Sequence, residues 1–193
     1  MVAAVNDFVS FESSSKGIFF SIVQVFAASL FLAFCSQICI PLVFSPVPVT
    51  GQTVGIMLVG AALGSRKGLL SVLAYLVEGS LGLPVFAGGS FGIMALFGHC
   101  GGYFLGFLLQ VYIVGWVVER QTTFQVTKIL PSLLLSCLLQ MGLGVLWLSF
   151  FMSFQSALVV GFFPFLFGEI VKSILVTAYL KINCGYNLLK NSQ

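Results

Sequence analysis

The chain has 193 residues, of which 59% are hydrophobic and only 7% charged, and its mean hydropathy is +1.13. Soluble domains carry about 25% charged residues, so a water-surrounded domain is excluded and most of this length belongs in lipid. The formal charge of +3 comes without a basic patch or a stacking platform, which argues against a nucleic-acid partner.

Residues 1–17 are polar and include Asp7 and Glu12. No basic leader region or small-residue cleavage site follows, so no cleaved signal peptide is expected. Residues 18–40 form an uncharged first span, long enough to cross a bilayer. On it Ala28, Ser29 and Ala33 make a notch of small side chains, and such notches admit a second helix at close range. Packing within the bundle and docking of a partner are both open readings of that notch.

Residues 41–52, PLVFSPVPVTGQ, hold three prolines and no charge. Prolines this dense exclude a helix and favour an extended, stiff segment, either a connection or a cap across the bundle mouth. Residues 53–63 and 68–78 are apolar runs of about eleven residues around Gly64-Ser65-Arg66-Lys67-Gly68. Each is too short for a straight crossing, and together they read as two short helices around a tight basic turn. Short helices beside irregular backbone imply a protein-lined cavity, here on the side away from Arg66 and Lys67.

Residues 79–102 contain eight glycines among Leu83, Val85, Phe86, Phe91 and Leu96. So apolar a segment is poorly suited to a solvated linker and reads as a folded lid with glycines at positive φ. Residues 103–118 and 129–152 form the fourth and fifth spans, joined by a polar turn after Glu119 and Arg120, and 153–161 form a short connection. The sixth span, 161–180, is followed by a polar tail. The expected architecture is an all-α integral membrane protein of six transmembrane helices, divided as 1–17 polar segment, 18–181 membrane domain and 182–193 tail.

Basic residues orient this plan. With the amino terminus inside, Lys16, Arg66, Lys67, Arg120, Lys128, Lys181 and Lys190 all fall on the inner side, and the opposite loops hold no Lys or Arg. That is a positive-inside pattern with both termini cytoplasmic, placing the chain in a bacterial-type inner membrane. The remaining basic residue, Lys172, lies inside the sixth span with Glu169. A charge at such depth costs about 2.5–3.5 kcal/mol on insertion scales and is usually paired and functional. Three positions apart on a helix, the two share a face, below a lid expected to cover a pocket. A salt bridge that only pins helices is the plainer reading of the pair. Tyr75 and Glu78 share a face near the same side, and Glu78 by itself reads more readily as an interfacial residue.

Catalytic motifs are missing. His99 and Cys100 are adjacent, poor geometry for a base and nucleophile, and there is no HExxH, GxSxG or Walker A sequence. Cys35, Cys39, Cys100, Cys137 and Cys184 have no metal-ligand or disulfide spacing. Neither a cofactor nor a metal is expected.

Five stretches carry a resemblance: PVPVTGQT (46–53), GAALGSRKG (60–68), YLVEGSLGLPVFAGG (75–89), GGYFLGF (101–107) and PFLFGEIVK (164–172). In order and spacing they resemble the BioY family, the biotin-specific substrate-binding (S) components of energy-coupling-factor (ECF) transporters. The resemblance implies a non-enzymatic capture protein for biotin at the outer side. It also implies a membrane-embedded T component and two cytoplasmic ATPases as partners. It puts Glu169 and Lys172 in the biotin site and favours docking for the first-helix notch. The chain departs from the family where Glu169 stands for the usual Asp, and where His99 and Cys100 stand for Pro-Thr. The expected substrate-contacting set is Glu169, Lys172, Tyr75, Glu78, Phe86, Gly88, Gly89 and Gln52, and the expected docking set Ala28, Ser29 and Ala33. The rival readings are a stand-alone proton-coupled secondary transporter of a small carboxylate vitamin working through Glu169, an intramembrane enzyme using Cys100, and a purely structural membrane protein.

Overall fold

A computed structural model describes the backbone of residues 15–121 and 123–190 and the side chains of 17–121 and 123–183. The polar segment through residue 14, the side chains of Lys16 and Lys190 and the last three residues lie outside what is described. The chain is helical: α1 (Ser15–Gln37), α2 (Gln52–Ser80), α3 (Ile93–Phe97), α4 (Gly101–Glu119), α5 (Val126–Leu148), α6 (Phe154–Gly161) and α7 (Phe163–Lys190). Two two-residue strands, β1 (Cys39–Ile40) and β2 (Val49–Thr50), pair antiparallel with Cys39 opposite Thr50. Five segments among the described residues are long and apolar enough to cross a membrane. Large apolar side chains such as Phe19, Phe34, Leu146 and Phe167 are exposed along them, an arrangement that suits lipid rather than water.

One of these segments, α2, folds back on itself. Gly64 in α2 has φ 78° and ψ −176°, a conformation open to glycine and strained for residues with a Cβ. The reversal brings Gly60 against Gly68, and it brings Gln52 within hydrogen-bonding distance of Tyr75. In a straight helix those last two would stand about 34 Å apart. The helix restarting at Ser65 has its first donors satisfied from outside: Glu119 Oε1 accepts from the Ser65 N–H at 2.8 Å and Oε2 from its hydroxyl at 2.7 Å. A carboxylate at that position also meets the positive end of the helix dipole. The basic-turn hairpin expected around Gly64–Gly68 is therefore present, and its turn abuts the end of α4.

Small residues set the helix layout. On α4, Gly102 and Gly106 are one turn apart and face α5, where a Cβ at Gly102 would collide with the Leu143 carbonyl and one at Gly106 would lie 2.7 Å from Gln140 Cγ. This is the close-approach geometry of small-xxx-small packing, and it explains the GGYFLGF stretch. The turn of the α2 hairpin, the end of α4 and the start of α5 gather at one end of the bundle. There Ile129, Leu133 and Val176 form an apolar cluster to which Leu180 adds. The proline-rich segment, the glycine-rich lid and α6 gather at the other end around Val47, Tyr103, Met141 and Phe165.

Several boundaries differ from expectation. The first helix stops at Gln37, because Cys39 and Ile40 join the β-ribbon. Residues 153–161 are not a plain connection: Ser153 Oγ accepts from the Ser156 N–H at 3.2 Å and caps α6. The last helix continues to Lys190, so 182–190 of the expected tail are helical. The lid holds a short 3-10 turn (Ala87–Gly89) and α3, with Gly82, Gly88, Gly89 and Gly92 at positive φ, as expected.

Gly64→Ala should lower stability by about 1–3 kcal/mol from backbone strain, with the collision against Glu119 added. Combining it with Glu119→Ala should recover only the collision, a non-additivity readable in thermal unfolding of the detergent-purified chain.

Candidate functional site

The Glu169–Lys172 pair is drawn together by three elements. Lys172 Nζ lies 2.7 Å from Glu169 Oε1, 3.0 Å from Thr53 Oγ1 and 2.8 Å from the Thr50 carbonyl. Thr53 also donates its hydroxyl to Glu169 Oε1 at 2.8 Å. Thr50 closes the β-ribbon and Thr53 is in the first turn of α2, so the carboxylate sits at a helix N-terminus whose dipole favours negative charge. All three ammonium hydrogens are thereby used inside the protein. Glu169 Oε1 is satisfied twice, whereas Oε2 receives only the Cys137 thiol at 3.4 Å. One carboxylate oxygen thus keeps capacity for a further donor.

The pair lines a cavity of about 370 Å³ at the lid end, within the range of about 300–1,000 Å³ typical of small-molecule sites. Pro46, Val47 and Pro48 close one side, so the proline-rich segment is a cap across the mouth. Phe86 from the lid, Phe104, Phe107 and Phe165 supply apolar walls, and Gln52, His99 and Gln140 add polar groups. The result is a mostly apolar chamber with a few convergent polar handles, which is how small organic ligands are held.

Of the eight expected contact residues, Glu169, Lys172, Phe86 and Gln52 line this cavity. Tyr75 does not: it is 1% exposed, accepts from Gln52 Nε2 at 2.7 Å and meets Phe86 edge to face at 5.5 Å. It holds two lining side chains from behind. Glu78 faces α1 instead of the cavity, where its Oε1 accepts from Ser29 Oγ at 2.7 Å. Gly88 and Gly89 shape the lid turn, while their neighbours Ala87 and Ser90 line the chamber. The notch of Ala28, Ser29 and Ala33 is turned inward. Ser29 is fully buried, and Ala28 and Ala33 pack on the cluster of Leu32, Val72 and Phe86. Its small side chains thus contribute to α1–α2 packing, with Ala28 and Ala33 only partly buried.

Sequence reasoning missed Thr53, Cys137 and Gln140. A threonine opening a helix and a cysteine in a span carry no signal of their own. Gln140 in the uncharged fifth span did carry one, because a buried amide in lipid needs a partner. His99 lines the cavity and stacks on Phe151 at 4.8 Å. Burial pushes the neighbouring Cys100 thiol up to about 11, so at neutral pH it is protonated and unsuited to nucleophilic attack.

Lys172→Met would leave a buried carboxylate without its cation, a loss of about 3–5 kcal/mol for a broken buried pair. The double variant Glu169→Gln, Lys172→Met should be more stable than Lys172→Met alone, as read from melting temperatures in detergent.

Comparison with known proteins bears on this site. The model of the BioY family matches residues 11–184. A biotin transporter BioY2 of Lactococcus lactis subsp. cremoris is 37% identical over 83% of this chain and 87% of its own length. A biotin transporter BioY of Thermotoga maritima is 34% identical over 79% of this chain and 90% of its own. The crystal structure of an S component for biotin from an ECF-type ABC transporter superposes with a TM-score of 0.74 at 26% identity, covering 86% of this chain and 91% of that one. With a family match across most of its length, and motifs that form the hairpin, lid and cavity, the chain belongs to the BioY family.

Proposed function

We propose that this protein takes up biotin as the S component of an ECF-type transporter, and that the cavity at the lid end is where biotin is captured. Membership of the BioY family and the likeness to a biotin S component support the assignment. The protein is a transporter component rather than an enzyme, with biotin as its transported substrate. The observation that carries the site is the open capacity of Glu169 Oε2 inside a mostly apolar chamber.

Biotin offers a cyclic urea with two N–H donors and a carbonyl, a sulfur ring and an aliphatic acid tail. In our reading Glu169 Oε2 accepts one urea N–H. Lys172 serves as the clamp that holds Glu169 in place, since its three donors are already committed. Phe86, Phe104, Phe107 and Phe165 pack the rings and tail. Tyr75 acts through Gln52 and Phe86.

The finer topology is also a proposal. Counting the two arms of the α2 hairpin separately gives six crossings. Seven basic residues on one side against none on the other support an orientation with both termini cytoplasmic, and the bacterial relatives support a bacterial-type inner membrane. The chain carries no ATPase motif, so uphill uptake calls for a membrane-embedded T component and two cytoplasmic ATPases. A proton-coupled mechanism through Glu169 is disfavoured because its Oε1 is already engaged by the Lys172 ammonium and the Thr53 hydroxyl.

Equilibrium binding of labelled biotin to the purified chain tests the assignment. Wild-type protein should bind, and Lys172→Met should weaken biotin and biotin methyl ester by the same factor, at least about tenfold for one lost charge-assisted hydrogen bond. Loss confined to the free acid would assign Lys172 to the tail carboxylate, and absence of binding to folded wild-type protein would overturn the function.

A further inference from the structure

One polar side chain in the cavity wall carries an unpaired amide oxygen. Gln140 is 3% exposed and its Oε1 is buried without a hydrogen-bond partner. An unpaired buried amide oxygen costs about 1–3 kcal/mol, so a glutamine kept at this position in a lipid-embedded helix calls for an occupant that satisfies it. The side chain lines the cavity beside Met141. It lies one helical turn from Cys137 on the same face of α5, and Cys137 in turn touches Glu169 Oε2. Gly106 makes this possible: α4 approaches so closely there that a Cβ would lie 2.7 Å from Gln140 Cγ and 2.8 Å from its Cα. The stem is thus held from behind, at the wall of the chamber.

This inference rests on the biotin reading of the cavity. A primary amide presents an acceptor and a donor side by side, the complement of the adjacent N–H and C=O of a cyclic urea. We propose that Gln140 is a specificity-determining residue that pairs with one edge of the urea, Oε1 accepting from the N–H and Nε2 donating to the carbonyl, while Glu169 Oε2 accepts from the other N–H. Glu169 Oε2 and Gln140 Oε1, both on side chains of the cavity wall, then match the two urea donors. The site reads an unsubstituted cyclic urea by both of its edges.

The test is a binding cycle on the full chain in detergent, with wild type and Gln140→Met against biotin and two oxazolidinone analogues, each with a different ring N–H replaced by oxygen. Wild type should bind both analogues at least about tenfold more weakly than biotin, and Gln140→Met should bind biotin about ten- to a hundredfold more weakly than wild type does. One of the two analogues should lose its penalty in the variant, because the N–H it lacks no longer has an acceptor there. Biotin affinity within about twofold of wild type in Gln140→Met, or equal analogue penalties in both proteins, would overturn the proposal. Where Met is not tolerated, Gln140→Asn draws the amide back by one methylene and enters the same cycle with the same outcomes. Failure of wild type to bind biotin at all would fall on the transport reading instead.

Discussion

An ammonium and a carboxylate held together inside an apolar bundle are the constraint on which the lid end is built. Neither charge is tolerable there alone, and one contact between them is not enough, because each has hydrogen-bonding capacity beyond its partner. The structure meets the remainder from two separate segments, the Thr50 carbonyl of the β-ribbon and the Thr53 hydroxyl at the start of α2. This requirement pulls the proline-rich segment down over the bundle mouth. The same arrangement that satisfies the pair therefore makes the cap of the cavity.

Close helix approach is the second condition, and glycine provides it. Gly60 and Gly115 bring the α2 hairpin against α4, and Gly102 and Gly106 bring α4 against α5. In lipid there is little hydrophobic gain in moving one apolar helix onto another, so contact area and short distances must hold the bundle. The lid faces the opposite problem. It has few regular hydrogen bonds to offer, and is held by Phe86 wedged between Tyr75 and Phe104 and by the Trp147 indole N–H bonded to the Gly98 carbonyl at 2.9 Å.

Much of the fold was legible because the signals were ones that lipid enforces. Uncharged runs of crossing length, basic residues confined to alternate connections, and Gly64 through Gly68 as a turn all follow from the cost of exposing polar groups to hydrocarbon. The Glu169–Lys172 pair stood out for the same reason. Ser153 as a helix cap and the helical continuation beyond Leu180 did not stand out, because a single serine and a mildly polar helix look the same in solvent as a connection or a tail. Glu78 and Tyr75 shared a face with the pair in sequence terms, but their neighbours in space, Ser29 and Gln52, come from other segments.

The sequence by itself determined the class of molecule, the family and the charged pair at its centre, since each rests on composition or on motifs contiguous in the chain. Only the tertiary structure decided what the pair does. Counting the partners of Lys172 across 122 positions of separation shows an ammonium fully engaged by its own protein, and among the residues lining the cavity it leaves capacity on Glu169 Oε2 and Gln140 Oε1. Donor and acceptor balance is a property of segments brought together in space, and no spacing along the chain expresses it.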